Sequence, residues 1–234
     1  MLLLAAGTTF LVWRALKPMP AGHAALAALA STESVSVALK PYGIEFAPKG
    51  KIKGGLVFYP GARVDHRAYA PVLNQVAARG YLVALLWAPF NLATTKQNKA
   101  AEVLALHPGI SWAAGGHSLG GVAASNYALS EKKVRGLVLW ASYPQADLSA
   151  RTLDTLVVLA GNDGLVSAQS VEQARKKLPS GARLVRLKGL NHAGFGDYGP
   201  RPGDGEATLD QQEGWRQIAD TTARFLDRIM NSNP

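Results

Sequence analysis

From Gly55 onward the chain alternates short apolar runs with stretches of helical spacing, and few folds accommodate that alternation. Gly55 to Tyr59 is a continuous apolar run that stops at Pro60-Gly61. Tyr69 to Arg79 then carries Tyr69, Val72, Leu73 and Val76 at helical intervals and ends at Gly80. The pattern repeats: Tyr81 to Trp87 apolar, Lys96 to Leu106 helical, Ile110 to Ala114 apolar, Val122 to Leu129 helical. Gly136 to Trp140, Leu156 to Ala160 and Arg183 to Leu187 read as further strands, with a helix from Ser167 to Leu178 among them. Glu206 to Met230 closes the chain as a long helix, with Trp215, Ile218, Thr222, Phe225 and Ile229 on one face. Strands that are apolar at every position are covered on both sides, so the expected class is α/β: a mostly parallel central sheet with helices on both faces. Ahead of it, Ala21 to Ala30 reads as a short helix. Ser34 to Leu39 and Ile44 to Ala47, joined at Pro41-Tyr42-Gly43, read as an antiparallel hairpin.

A length of 234 residues with 48% hydrophobic content fits one such domain, expected over residues 21–234. Residues 1–20 stand apart. Met1 to Trp13 is an uncharged apolar run, followed by Arg14, Lys17 and the Pro18-Met19-Pro20 break. It is shorter than the roughly 20 residues of a spanning helix and lacks the basic leader of a signal peptide. A partial signal anchor, a helix on a membrane surface and a helix packed on the domain all remain open. Only Thr8 and Thr9 offer water a polar face, which favours a membrane-associated or extracytoplasmic location over a cytoplasmic one. The net charge of +9 comes from scattered basic residues, the densest at predicted helix ends, and no nucleic-acid motif accompanies it; nucleic acid is not an expected partner. The absence of cysteine excludes thiol catalysis and cysteine-bound metal.

In open α/β sheets ligands bind beyond the carboxyl ends of the strands, and the chemical motifs fall there. Gly116-His117-Ser118-Leu119-Gly120 is Gly-x-Ser-x-Gly between a predicted strand and a predicted helix. A serine on so tight a turn exposes its hydroxyl, small residues two before and two after avoid a collision, and the helix amides point at a developing oxyanion. Downstream there is one histidine, His192, in the loop after the last strand, placed to act as general base. Asp163, in Gly161-Asn162-Asp163-Gly164 directly after a strand, is the expected acid. Asp147 and Asp154 compete for that role but lie at the wrong end of that strand. His117 should point away from the hydroxyl into the packing. His23, His66, His107, Asp197, Asp204 and Glu206 are expected to be structural, and they form no metal set by spacing.

The order Tyr59-Pro60-Gly61, Gly116 to Gly120, Gly161 to Gly164 and Gly189-Leu190-Asn191-His192 resembles that of the α/β-hydrolase superfamily, over about Val35 to Ile229. It is similar to the small lidless members grouped with dienelactone hydrolases; those enzymes proper use a cysteine nucleophile, so the likeness implies ancestry and not substrate. The resemblance implies catalysis by Ser118, Asp163 and His192 without metal or organic cofactor. It places the oxyanion hole at the amides of Leu119 and Ala62, with Arg63 the alternative to Ala62. The interval Ala141 to Asp154 is too short for a lid of packed helices. An open pocket bordered by Trp87, Phe90, Trp140, Tyr143 and Phe195 is therefore expected to favour small carboxylic esters with short acyl groups. The same apparatus would serve a lactone, thioester or amide, and a non-catalytic binding protein on this fold is the rival reading.

Overall fold

In the computed structural model, which describes residues 18–89 and 99–231, eight strands form one sheet in the order β1-β2-β4-β3-β5-β6-β7-β8. The elements are α1 (His23–Ala27), β1 (Val35–Lys40), β2 (Gly43–Pro48), β3 (Gly54–Tyr59), α2 (Ala70–Ala78), β4 (Tyr81–Leu86), α3 (Lys99–Leu106) and β5 (Trp112–His117). They continue as α4 (Leu119–Ser130), β6 (Val134–Trp140), β7 (Asp154–Ala160), α5 (Ala168–Arg175), β8 (Arg183–Leu187) and α6 (Gln211–Asn231). β1 and β2 form the hairpin, β2 joins β4 antiparallel, and every pairing from β4 to β8 is parallel.

The apolar runs work as expected of strands covered on both sides. Along β3, Leu56 and Phe58 enter one core with α2 and α6, while Val57 and Tyr59 enter the other with α3 and α4. β6 divides the same way, with Val138 and Trp140 on the first side and Leu137 and Leu139 on the second. The apolar face read from the sequence for the last helix, with Trp215, Ile218, Phe225 and Ile229, is buried in the first core.

Two boundaries differ from expectation in ways that matter for function. β5 runs on through Gly115, Gly116 and His117, where the sequence suggested an end at Ala114. Its pairing with Tyr59 and Trp140 on either side carries the strand to the serine itself. Pro18 to Pro20 does not stand apart from the domain, because Met19 makes a parallel bridge to Val64. Its N–H donates to the Arg63 carbonyl at 2.7 Å and its carbonyl accepts from Asp65 N–H at 2.9 Å. Among the described residues no helix is long and apolar enough to cross a membrane.

Candidate active site

Ser118 sits between β5 and α4 with φ 52° and ψ −123°, a conformation that a side chain rarely adopts. Such strain costs on the order of 1–3 kcal/mol and persists only when the surroundings hold it. Here they do. Ser118 N–H donates to the Trp140 carbonyl at 2.9 Å, and the Ser118 carbonyl accepts from Gly121 N–H at 3.0 Å and from the Ser142 hydroxyl at 2.7 Å. The glycines are required by close approach. A Cβ on Gly116 would lie 2.4 Å from the Gly120 backbone, and one on Gly120 would lie 2.3 Å from the Tyr59 carbonyl oxygen.

The other two loops meet this elbow at the carboxyl edge of the sheet. Asp163 follows β7. Its Oδ1 accepts from the N–H groups of Leu165 and Val166 at 2.9 and 2.8 Å, which leaves Oδ2 for His192 Nδ1 at 2.9 Å. A carboxylate only accepts, so Nδ1 carries the proton and Nε2 presents its lone pair. Nε2 is buried and has no hydrogen-bond partner among the described residues. The residue that carries it lines the same cavity as Ser118, Leu119, Arg63, Ser142 and Tyr143. Asp147 and Asp154 take no part: Asp147 caps Ser149 N–H at 2.8 Å, and Asp154 begins β7 at the opposite end.

Two networks, one half-buried and one buried, tie these loops together, and the sequence displayed neither. Asp204, read from sequence as structural, accepts from His192 N–H at 3.1 Å, Ala193 N–H at 2.7 Å and Gly164 N–H at 3.1 Å. One carboxylate thus clamps the turn of Asp163 to the loop of His192. The second network runs behind the serine. His117 Nε2 bonds the His192 carbonyl at 3.1 Å, which fixes that nitrogen as the donor, so Nδ1 accepts from the Tyr69 hydroxyl at 2.9 Å. The same hydroxyl accepts from Gly61 N–H at 3.0 Å. The side chain of His117 therefore lies in the packing, as expected, and links the Pro60-Gly61 loop to the backbone of His192. Burial, and then the neighbouring His192, hold its pKa well below the ordinary histidine value, so it stays neutral.

An eight-stranded, mostly parallel sheet delivers a strained serine, an aspartate and a histidine from the ends of β5, β7 and β8, and a family model for the alpha/beta hydrolase family matches residues 55–216. The chain belongs to the alpha/beta hydrolase family. No curated protein matches it.

Within this family member the expected pocket aromatics separate. Tyr143 lines the cavity. Trp140 and Phe195 are fully buried and stack on each other in the core, with Trp140 Nε1–H donating to the Thr222 hydroxyl at 3.2 Å. They support the site from beneath and do not line it: inward-facing positions at the end of a strand bury large rings under the loops. Trp87 lies in a different groove, beside Leu39 and Arg67, with the Lys99 ammonium over its ring. Phe90 falls outside the described residues. Leu119 and Arg63 reach the cavity, whereas Ala62 is not among the residues lining it. Val122, Leu165, Val166, Gln145 and Arg201 also line the cavity. None stands in a motif, so sequence reasoning had no handle on them. No group of three or more metal-ligating side chains occurs among the described residues.

Proposed function

We propose that the protein is a serine hydrolase that cleaves carboxylic esters of short acyl groups through an acyl-enzyme. The observation that carries this is the shared cavity. Ser118 on its strained turn and His192, oriented by Asp163 with Nε2 unprotonated, face one space of about 750 Å³.

In the first half-reaction Ser118 Oγ attacks the ester carbonyl carbon while its proton passes to His192 Nε2. The imidazolium is stabilised by Asp163 through the Nδ1–H bond already in place. The oxyanion is met by Leu119 N–H, the first amide of α4, which a helix leaves without an intrahelical acceptor. The loop after Tyr59 supplies the second donor, from Ala62 or Arg63. The carbon–oxygen bond to the alcohol then breaks, and the leaving oxygen takes the proton from Nε2. In the second half-reaction water gives a proton to Nε2 and attacks the acyl carbon. The Ser118 ester bond breaks, and Oγ recovers the proton as the acid departs.

The cavity wall favours small acyl groups. Leu119, Val122, Leu165 and Val166 offer aliphatic contact, and the link between β6 and β7 is too short to roof it. Each buried methylene contributes about 0.8 kcal/mol, so a few are rewarded and a long chain is left in water. A fluorophosphonate probe is expected to label the protein at Ser118 alone. Among p-nitrophenyl acetate, butyrate, octanoate and palmitate the best substrate is expected to carry about two to six acyl carbons. A palmitate optimum overturns the short-chain reading, and absence of labelling together with absence of turnover overturns the hydrolase reading. The apolar residues 1–17 are proposed to attach this activity to a membrane surface. Recovery of the full-length protein in the soluble fraction of its own cells overturns that.

A further inference from the structure

The cavity around Ser118 has an unbalanced charge. Its lining includes two guanidinium groups, Arg63 and Arg201, and no carboxylate. The nearest acidic side chains are already committed: Asp163 to His192 and two backbone amides, Asp204 to its own set of amides. Elsewhere arginines are paired, Arg67 with Asp65, Arg79 with Asp220 and Arg216 with Glu213, yet neither cavity arginine makes an ion pair among the described residues.

Arg201 is the more telling of the two. Its Nη1 is buried and has no hydrogen-bond partner. It lies close to the Tyr198 hydroxyl, which is likewise buried and without a partner of good geometry. The Tyr198 hydroxyl lies in reach of the buried guanidinium edge, and a guanidinium carries further N–H donors, for which a ligand in the cavity can supply the acceptor. Arg63 shows an expense of another kind. It is a non-glycine residue at φ 59°, and its carbonyl accepts from Met19 N–H at 2.7 Å. Backbone strain placed at a pocket mouth is a mark of a ligand-contacting position. A planar guanidinium fork matches the two oxygens of a carboxylate better than any neutral group.

We infer that this pocket binds the carboxylate of an acidic ester, with Arg201 and Arg63 gripping the anionic group while Ser118 attacks the ester carbonyl. The substrate class is a monoester that retains a free carboxylate, either on the acyl side, as in a half-ester of a dicarboxylic acid, or on the alcohol side. The inference rests on the hydrolase reading above and gives it a substrate.

Matched pairs of substrates test it. Mono-p-nitrophenyl glutarate is compared with p-nitrophenyl pentanoate, and 4-(pentanoyloxy)benzoate with its methyl ester, each corrected for uncatalysed hydrolysis. At low salt the anionic member of one pair is expected to show a kcat/KM at least about tenfold above its neutral partner, the advantage shrinking as salt is added. The pair that responds tells which side of the ester carries the charge. Arg201→Gln is expected to reduce that ratio by about tenfold or more, and Arg201→Lys to retain part of it. Free glutarate should compete with p-nitrophenyl pentanoate in the unaltered protein, an outcome that needs no variant to fold. If the protein reacts with the fluorophosphonate and, before labelling, turns over both members of each pair with no preference, and glutarate does not compete, the inference is overturned and the hydrolase reading stands. If nothing is labelled and no ester is cleaved, both fall.

Discussion

The turn that carries Ser118 and the loop that carries His192 hold their side chains by opposite means. The turn is local. Its five residues contain the strained backbone and the two glycines that let strand and helix close on each other, and the outside bonds to Ser118 itself come from the adjacent end of β6 and Ser142. The histidine loop has no such internal logic. It is positioned from outside, by the Asp204 carboxylate, by the His117 ring behind it, and by Asn191 Nδ2 donating to the Gly205 carbonyl at 2.8 Å. A nucleophile needs one exposed atom on a rigid corner, which a short motif can encode. A base must satisfy Asp163 and Ser118 at once, and that takes contacts from several parts of the chain.

The largest effect expected in this comparison is at the serine. Ser118→Ala should lower kcat by about 10⁶-fold with the fold retained, and combining it with His192→Ala should add little, since the two act as a unit. Residual turnover within tenfold of the unaltered enzyme would show that the chemistry lies elsewhere. Asp163→Asn should cost about 10⁴-fold, because the amide favours the wrong imidazole tautomer. If Asp147→Asn were inactive instead, the hydrogen bond to Asp163 would be incidental.

This difference also explains what the sequence made legible. The strand and helix succession, the elbow, and the order serine, aspartate, histidine follow from local pattern, and the structure has them in those places. The end of β5 was misjudged because Gly115 and Gly116 read as a turn. In three dimensions they are strand residues, Gly116 kept bare by the start of α4 and Gly115 crowded by Leu56 and Val138 of the flanking strands. Trp140, at a strand end, and Phe195, in the turn after His192, differ from expectation because an aromatic beside the site reads the same in sequence whether it faces the pocket or the core beneath it. Asp204 and Arg201 lie in a glycine- and proline-rich stretch with no periodicity, and their partners are remote in sequence or absent from the chain, so nothing local marks them.

Smaller effects separate the two modes of support. Asp204→Asn places an amide where four N–H groups converge on a carboxylate, so His192 should shift. A fall in kcat of up to about 10²-fold with little change in KM is expected, along with a lower Tm. Gly120→Ala should act on folding instead, through an overpacking cost of about 1–3 kcal/mol against the Tyr59 backbone. If Asp204→Asn lowers Tm but leaves kcat intact, the clamp holds the loop without aiming the base.

The smallest effect is on the pH dependence of stability. His117 remains neutral in the fold, whereas the unfolded chain takes up a proton near pH 6.5. The unfolded state therefore binds more protons below that value, and stability is lost as pH falls through it, by up to about 1.4 kcal/mol per pH unit. His66, its pKa lowered chiefly by burial, adds in the same direction. The carboxylates of Glu45 and Asp65, held low by their partners, contribute only nearer pH 4. Denaturant titrations between pH 5 and 6.5 should show a shallower slope for His117→Gln than for the unaltered protein. An equal slope would remove His117 as the source.

The bridge from Met19 to Val64 makes the start of the domain a mechanical part of the site. Met19 bonds the Arg63 carbonyl and the Asp65 N–H, on either side of Val64, so a tether fastened upstream of Pro18 pulls on the rim of the cavity and not on an idle linker. A shortened chain that begins at Pro18 should keep full activity. One that begins at Ala21, though only three residues shorter, should lose the bonds by which Met19 ties the Arg63 carbonyl and the Asp65 N–H together. Its activity should fall in proportion to how much the substrate depends on that arginine.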